Sequence, residues 1–111
     1  MTIYIAGPYT GDVEENVAAA IFAGQSLVEY GFVPFVPHLY HFWDQQHPNP
    51  YETWMKLCLM WVTKCDALLR LPGNSPGADR EVALAKATGV LVFYSIDDVI
   101  KAHTLGAEPW P

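Results

Sequence analysis

The chain has 111 residues, of which 51% are hydrophobic and only 16% charged, and 12 acids against 6 Lys and Arg give a formal charge of -6. That length suits one domain, residues 1–111, and leaves no room for a second. The shortage of cations argues against nucleic-acid polymers or anionic membranes as main partners, since both need concentrated positive charge, and no apolar run approaches the roughly 20 residues of a membrane span.

So apolar a composition in so small a chain, whose surface-to-volume ratio is high, predicts that part of the surface is an interface in a homodimer or higher homo-oligomer. Cys58 and Cys65 fall seven residues apart in one predicted helix, roughly 10 Å along its axis and too far for a disulfide. With nothing resembling a signal peptide after Met1, the expected location is the cytoplasm.

Thr2-Ile3-Tyr4-Ile5-Ala6 reads as a buried first strand that ends in a turn at Gly7-Pro8. Asp12 and Glu15 have capping-box spacing, and Val13, Val17, Ala20, Ile21, Gly24, Leu27 and Val28 keep a helical period until Gly31. Phe32 to Val36 is a second strand, and Pro34 places it at a sheet edge, where a missing N–H is tolerated. Pro37 to Pro50 carries His38, Tyr40, His41, Phe42, Trp43, Asp44 and His47 with three prolines and no clear period. It reads as a long irregular loop, an aromatic lid able to stack on a planar ligand through residues such as His38 and Trp43. The three histidines invite a metal reading, but nothing in such a loop fixes their spacing, and base stacking or plain surface placement fits better.

Tyr51 to Lys64 is the second helix, with Trp54, Cys58, Trp61 and Val62 on one stripe and Met55 and Leu59 beside it, a face too wide for one sheet to cover. Met55 and Leu59 are therefore the expected core of the interface between copies. Asp66 to Leu71 and Val90 to Tyr94 read as strands three and four, with a helix over Ala78 to Thr88 between them stopped by Gly89. Ser95-Ile96-Asp97-Asp98 can cap a short last helix from Val99 to His103. The alternation gives an α/β fold: a flavodoxin-like, doubly wound parallel sheet of four to five strands in three α/β/α layers.

The junction Asn74-Ser75-Pro76-Gly77-Ala78-Asp79-Arg80-Glu81 carries the functional signal. Ser75 is a good N-cap, Pro76 at the first helical position forfeits no useful donor, and Gly77 lets a ligand approach the backbone. Such junctions lie at the carboxyl ends of strands, where open α/β sheets bind ligands. On a helical wheel Glu81 falls beside Ala78, Val82 and Ala85, whereas Asp79, Arg80 and Lys86 project elsewhere. Because the loops after strands one and three meet at one sheet edge, Tyr4, Gly7 and Glu81 can share a pocket.

With Ile3-Tyr4-Ile5-Ala6-Gly7-Pro8 at the first strand, Cys65-Asp66 opening the third, and Ser75-x-Gly77-x-x-x-Glu81, the chain resembles the nucleoside 2-deoxyribosyltransferase-like superfamily, which includes 2'-deoxynucleoside 5'-phosphate N-hydrolases. The resemblance implies cleavage or transfer at the N-glycosidic bond of a nucleoside or its 5'-monophosphate, without metal or cofactor. It matches Glu81 to the nucleophile and Tyr4 to the tyrosine that orients it, with substrate contacts from Ala6, Gly7, Pro8, Ser75, Gly77 and Ala78. The chemistry agrees with that match. Breaking the bond builds positive charge on the anomeric carbon, which a partly desolvated carboxylate can stabilise or capture as a glycosyl ester. Ser75 looks like the phosphate-contacting serine of the monophosphate hydrolases. Two departures stand out: the Arg those hydrolases have in the first loop is missing from Tyr9-Thr10-Gly11-Asp12, and Cys58 occupies the place of an Asp that contacts sugar or leaving group. These departures leave a second reading open, a catalytically silent nucleotide-binding module of the same fold.

Overall fold

In the computed structural model, residues 1–106 are described. The tail beyond Gly106, and with it the end of the predicted 1–111 unit, lies outside them. Four parallel strands, β1 (Thr2–Ala6), β2 (Val33–Phe35), β3 (Ala67–Arg70) and β4 (Leu91–Phe93), form one sheet in the order β2-β1-β3-β4. The sheet is an α/β doubly wound one, with β2 at an edge as Pro34 requires. The helices are α1 (Val13–Glu29), α2 (Tyr40–Gln46), α3 (Tyr51–Lys64), α4 (Pro76–Thr88) and α5 (Ile96–Gly106). Among the described residues no helix is long and apolar enough to cross a membrane.

The period of two along β1 divides the core. Ile3 and Ile5 join Ala20, Ala23, Leu27 and Val99 under α1 and α5, while Tyr4 and Ala6 join Cys58, Val62, Ala78 and Ala85 under α3 and α4. β3 repeats the division, with Ala67 and Leu69 on the first side and Leu68 on the second. This parity sends Tyr4 toward α4 and Glu81.

Local chemistry fixes the helix ends. Asp12 accepts the Glu15 N–H, Ser75 Oγ accepts the Ala78 N–H at 3.1 Å, and Ser95 Oγ accepts the Asp98 N–H. Gly89 ends α4 with φ of 80°, the left-handed region that glycine enters at least cost.

Two expectations are corrected. The segment 37–50 is not an irregular loop: a turn of 3₁₀ helix at Pro37–Leu39 leads directly into α2. Its prolines bracket this helical stretch instead of interrupting it, since Pro37 opens the 3₁₀ turn and Pro48 and Pro50 stand between α2 and α3. Met55 is not on an outer face either. It is 5% exposed, because α4 as well as the sheet covers α3, and the buried stripe is Met55, Cys58 and Val62. Leu59 is half-buried, and the exposed apolar side chains of α3 are Tyr51, Met60 and Trp61.

Candidate active site

A cavity of about 370 Å³ lies at the carboxyl end of the sheet, within the size range of small-molecule sites. The turn after β1 contributes Gly7, Tyr9 and Thr10; the start of α4 contributes Ser75, Pro76, Gly77, Ala78 and Glu81. Tyr51, Trp54, Met55 and Cys58 of α3 form another wall, and His38, Tyr40, His41 and Asp44 close the rest. Of the side chains expected to meet a substrate, Gly7, Ser75, Gly77, Ala78, Cys58, His38 and Glu81 line this cavity. Ala6 and Pro8 do not: Ala6 is fully buried beneath the sheet's face, and Pro8 borders a separate apolar depression beside α1. Trp43 lies outside the lining too, 54% exposed, its ring packed on Tyr40 and Trp54. Both of those rings line the cavity, so Trp43 reaches it only through them.

Glu81 is 6% exposed and Tyr4 fully buried, and the Tyr4 hydroxyl donates a short hydrogen bond to Glu81 Oε2. Tyr4 is thus held beneath the cavity wall, against Glu81 and Cys58, which line the cavity. Burial raises the Glu81 carboxyl to about 7, against the lowering effects of the Tyr4 hydrogen bond and of the Arg70 and Arg80 charges. Burial, together with the neighbouring Glu81, holds the Tyr4 phenol well above its ordinary value, so Tyr4 stays a donor. Burial also pushes the Cys58 thiol up to about 11 and keeps it neutral beside them.

The start of α4 offers little to an anion. Pro76 has no N–H, the Ala78 N–H is bound by Ser75 Oγ, and the Asp79 N–H by the Ser75 carbonyl, which leaves the Gly77 N–H. Over Gly77 lies Tyr51, whose hydroxyl is 2.7 Å from where a Cβ would stand, so a larger residue there would push the exposed Tyr51 ring aside. Neither arginine near the site is available. Arg70 donates to the Leu71 and Gly73 carbonyls and pairs with Asp79 at 3.1 Å, while Arg80 pairs with Glu52 at 2.8 Å.

His38 is buried and donates Nε2–H to the Pro8 carbonyl at 3.0 Å, and burial lowers its pKa and keeps it neutral. His41 Nδ1 meets the Tyr9 hydroxyl at 2.7 Å. Among the described residues no group of three or more His, Cys, Asp and Glu side chains is placed to hold a metal ion.

Sequence reasoning did not find Tyr9, Tyr51 or Trp54 as site residues, and included Tyr40 and Asp44 only within the expected aromatic lid. Their signal was the helical spacing of Tyr40, Trp43 and Asp44 between flanking prolines, which the absence of longer periodicity concealed. Residues 1–95 match the profile of a domain of unknown function, DUF7768. The chain belongs to the DUF7768 family. A search of curated proteins finds no match. Among solved structures, this DUF7768 chain is similar to a 2-deoxyribosyltransferase from the psychrotolerant bacterium Bacillus psychrosaccharolyticus, with a TM-score of 0.63 and 20% identity over 83% of this chain and 69% of that one. It is also similar to a 2-deoxyribosyltransferase from Leishmania mexicana, with a TM-score of 0.60 and 22% identity over 82% of this chain. The chain spans 61% of that second enzyme's length. At this identity the likeness is one of fold.

Proposed function

We propose that this DUF7768 protein cleaves or transfers the N-glycosidic bond of a nucleoside, with Glu81 as nucleophile and Tyr4 as the residue that positions it. The observation that carries this reading is a buried glutamate on the wall of a nucleoside-sized cavity, fixed through Oε2 by a buried phenol beneath that wall. With Oε2 held, Oε1 is the oxygen left to approach an anomeric carbon. Its bond to that carbon forms as the carbon–nitrogen bond breaks, the electron pair leaves on the base nitrogen, and water protonates the departing base. Water or a second base then attacks the anomeric carbon of the glycosyl ester and frees the carboxylate. Cys58, its thiol raised to about 11, is a poor proton donor near neutral pH, so the leaving group depends on solvent or on its own acidity. The fold shared with two 2-deoxyribosyltransferases supports the same chemistry.

The favoured substrate is the nucleoside rather than its 5'-monophosphate. The cavity lining has Glu81 and Asp44 but no Lys or Arg, and the α4 N-terminus has one N–H to spare, beneath Tyr51. A doubly charged phosphate would meet two acids and no cation. Chromatography for free base, run on deoxynucleosides, ribonucleosides and their monophosphates with and without an acceptor base, tests the reading. Base released from nucleosides by wild type and not by Glu81→Gln is the expected result. No release from any of them would leave a binding module, with Glu81 as a ligand contact.

A further inference from the structure

Resting on that reading, we infer that Asp44 selects the base: its free carboxylate oxygen recognises a base that presents an exocyclic amino group. Asp44 lines the cavity from α2, and its Oδ1 is fully engaged, accepting from Trp54 Nε1 at 2.7 Å and from the Asn49 N–H at 2.9 Å. These two donors come from α3 and from the α2–α3 connection, so they fix the carboxylate plane. Oδ2 takes no hydrogen bond among the described residues. A carboxylate can only accept, so the complementary group is a donor. The two donors that hold Oδ1 also keep Asp44 below the usual carboxylate range, and therefore ionised across the neutral range.

The spacing from the reaction centre agrees. Cys58, next to Tyr4 and Glu81, and Trp54, bonded to Asp44, are four residues apart on the same face of α3, a rise of roughly 6 Å. α3 therefore joins the reaction centre to Asp44 along one wall of the cavity. Beside Asp44, the rings of Tyr40 and Trp54 are stacked 5.1 Å apart, a planar apolar wall for the base itself.

The test compares deoxycytidine with deoxyuridine, and deoxyadenosine with deoxyinosine, both as substrates of wild type and as ligands of the Glu81→Gln protein titrated by tryptophan fluorescence. The amino-bearing member of each pair should be favoured by about tenfold or more, the discrimination expected of a hydrogen bond to an ionised acceptor. In Asp44→Asn the amide oxygen can keep the Trp54 and Asn49 donors, and an NH2 donor then stands in place of the free Oδ2 acceptor. The preference should then disappear or reverse toward the carbonyl-bearing base. Wild type without preference, or a preference unchanged in Asp44→Asn, overturns the role of Asp44 while leaving the glycosidase reading intact. Selective binding that Asp44→Asn reverses, with no base release at any pH, upholds Asp44 and removes the catalytic reading. Failure of every nucleoside to bind overturns both.

Discussion

Glu81 illustrates what burial does to a single carboxyl. At about 7 it is far from an ordinary glutamate, and the direct consequence is a pH-dependent reaction. Only the ionised form can attack, so base release should rise with pH along an acid limb centred near 7. Tyr4→Phe removes a hydrogen bond that lowers the Glu81 value, so the limb should move to higher pH and the rate at pH 7 should fall. A pH–rate profile unchanged by Tyr4→Phe would contradict the pairing. The same shift bears on stability. The raised folded-state value means the native protein holds a proton that the unfolded chain releases above about 4.5, so Glu81 costs stability as pH rises from there and the full cost is reached above 7. The penalty is about 3 kcal/mol. Glu81→Gln should accordingly melt higher than wild type at pH 8, with the difference shrinking toward pH 4.5; equal melting curves at pH 8 would show that Glu81 is not strained by its burial. At this scale the sequence was legible where a turn signature was present. Ser75-Pro76-Gly77 announced the α4 cap, and the helical phase then put Glu81 inward. Asp44 carried no such signature, because its partner Trp54 lies ten residues away in a different helix.

At the scale of elements, β1, α3 and α4 were readable because each has a strong period and a definite stop. The predicted α3, Tyr51 to Lys64, coincides with the observed one. α2 was not readable, because seven residues make fewer than two full turns and tertiary contacts hold it. Those contacts are the Tyr40–Trp54 stack, the Tyr40–Trp43 pair at 5.7 Å and the Asp44–Trp54 hydrogen bond. Trp54→Phe keeps an aromatic ring for the stack but deletes the indole N–H. Its melting temperature should drop by a few degrees, and α2 amide protons should exchange faster. Unchanged exchange in α2 would mean that the helix is held by something other than this link. Met55 was misassigned for a related reason: a helical wheel shows which side chains share a face, but not that both the sheet and α4 cover it.

For the whole molecule, the fold brings Tyr4 from β1 against Glu81 of α4 beneath the cavity wall, although 77 residues separate them in the chain. That convergence follows from parallel strands β1 and β3 being neighbours; of the three residues expected to share a pocket, Gly7 and Glu81 line the cavity and Tyr4 lies beneath it. The apolar surplus that suggested self-association is also accounted for differently than expected. Met60 and Trp61 on α3 are exposed, as are Leu39, Phe42 and Trp43 flanking Tyr40, to whose hydroxyl Trp61 donates, and these outward side chains replace Met55 as the contact we propose between copies. Sedimentation should show a dimer or larger species that Trp61→Glu dissociates, and a monomer at high concentration would rule the contact out. The central claim, that Glu81 forms a covalent bond to the sugar, is tested most directly by intact-protein and peptide mass spectrometry after incubation with a slow 2-fluoro nucleoside. The account predicts a single added fluoroglycosyl group on the peptide carrying Glu81, absent from Glu81→Gln. Base release without any adduct on Glu81, or at the wild-type rate from Glu81→Gln, would contradict it.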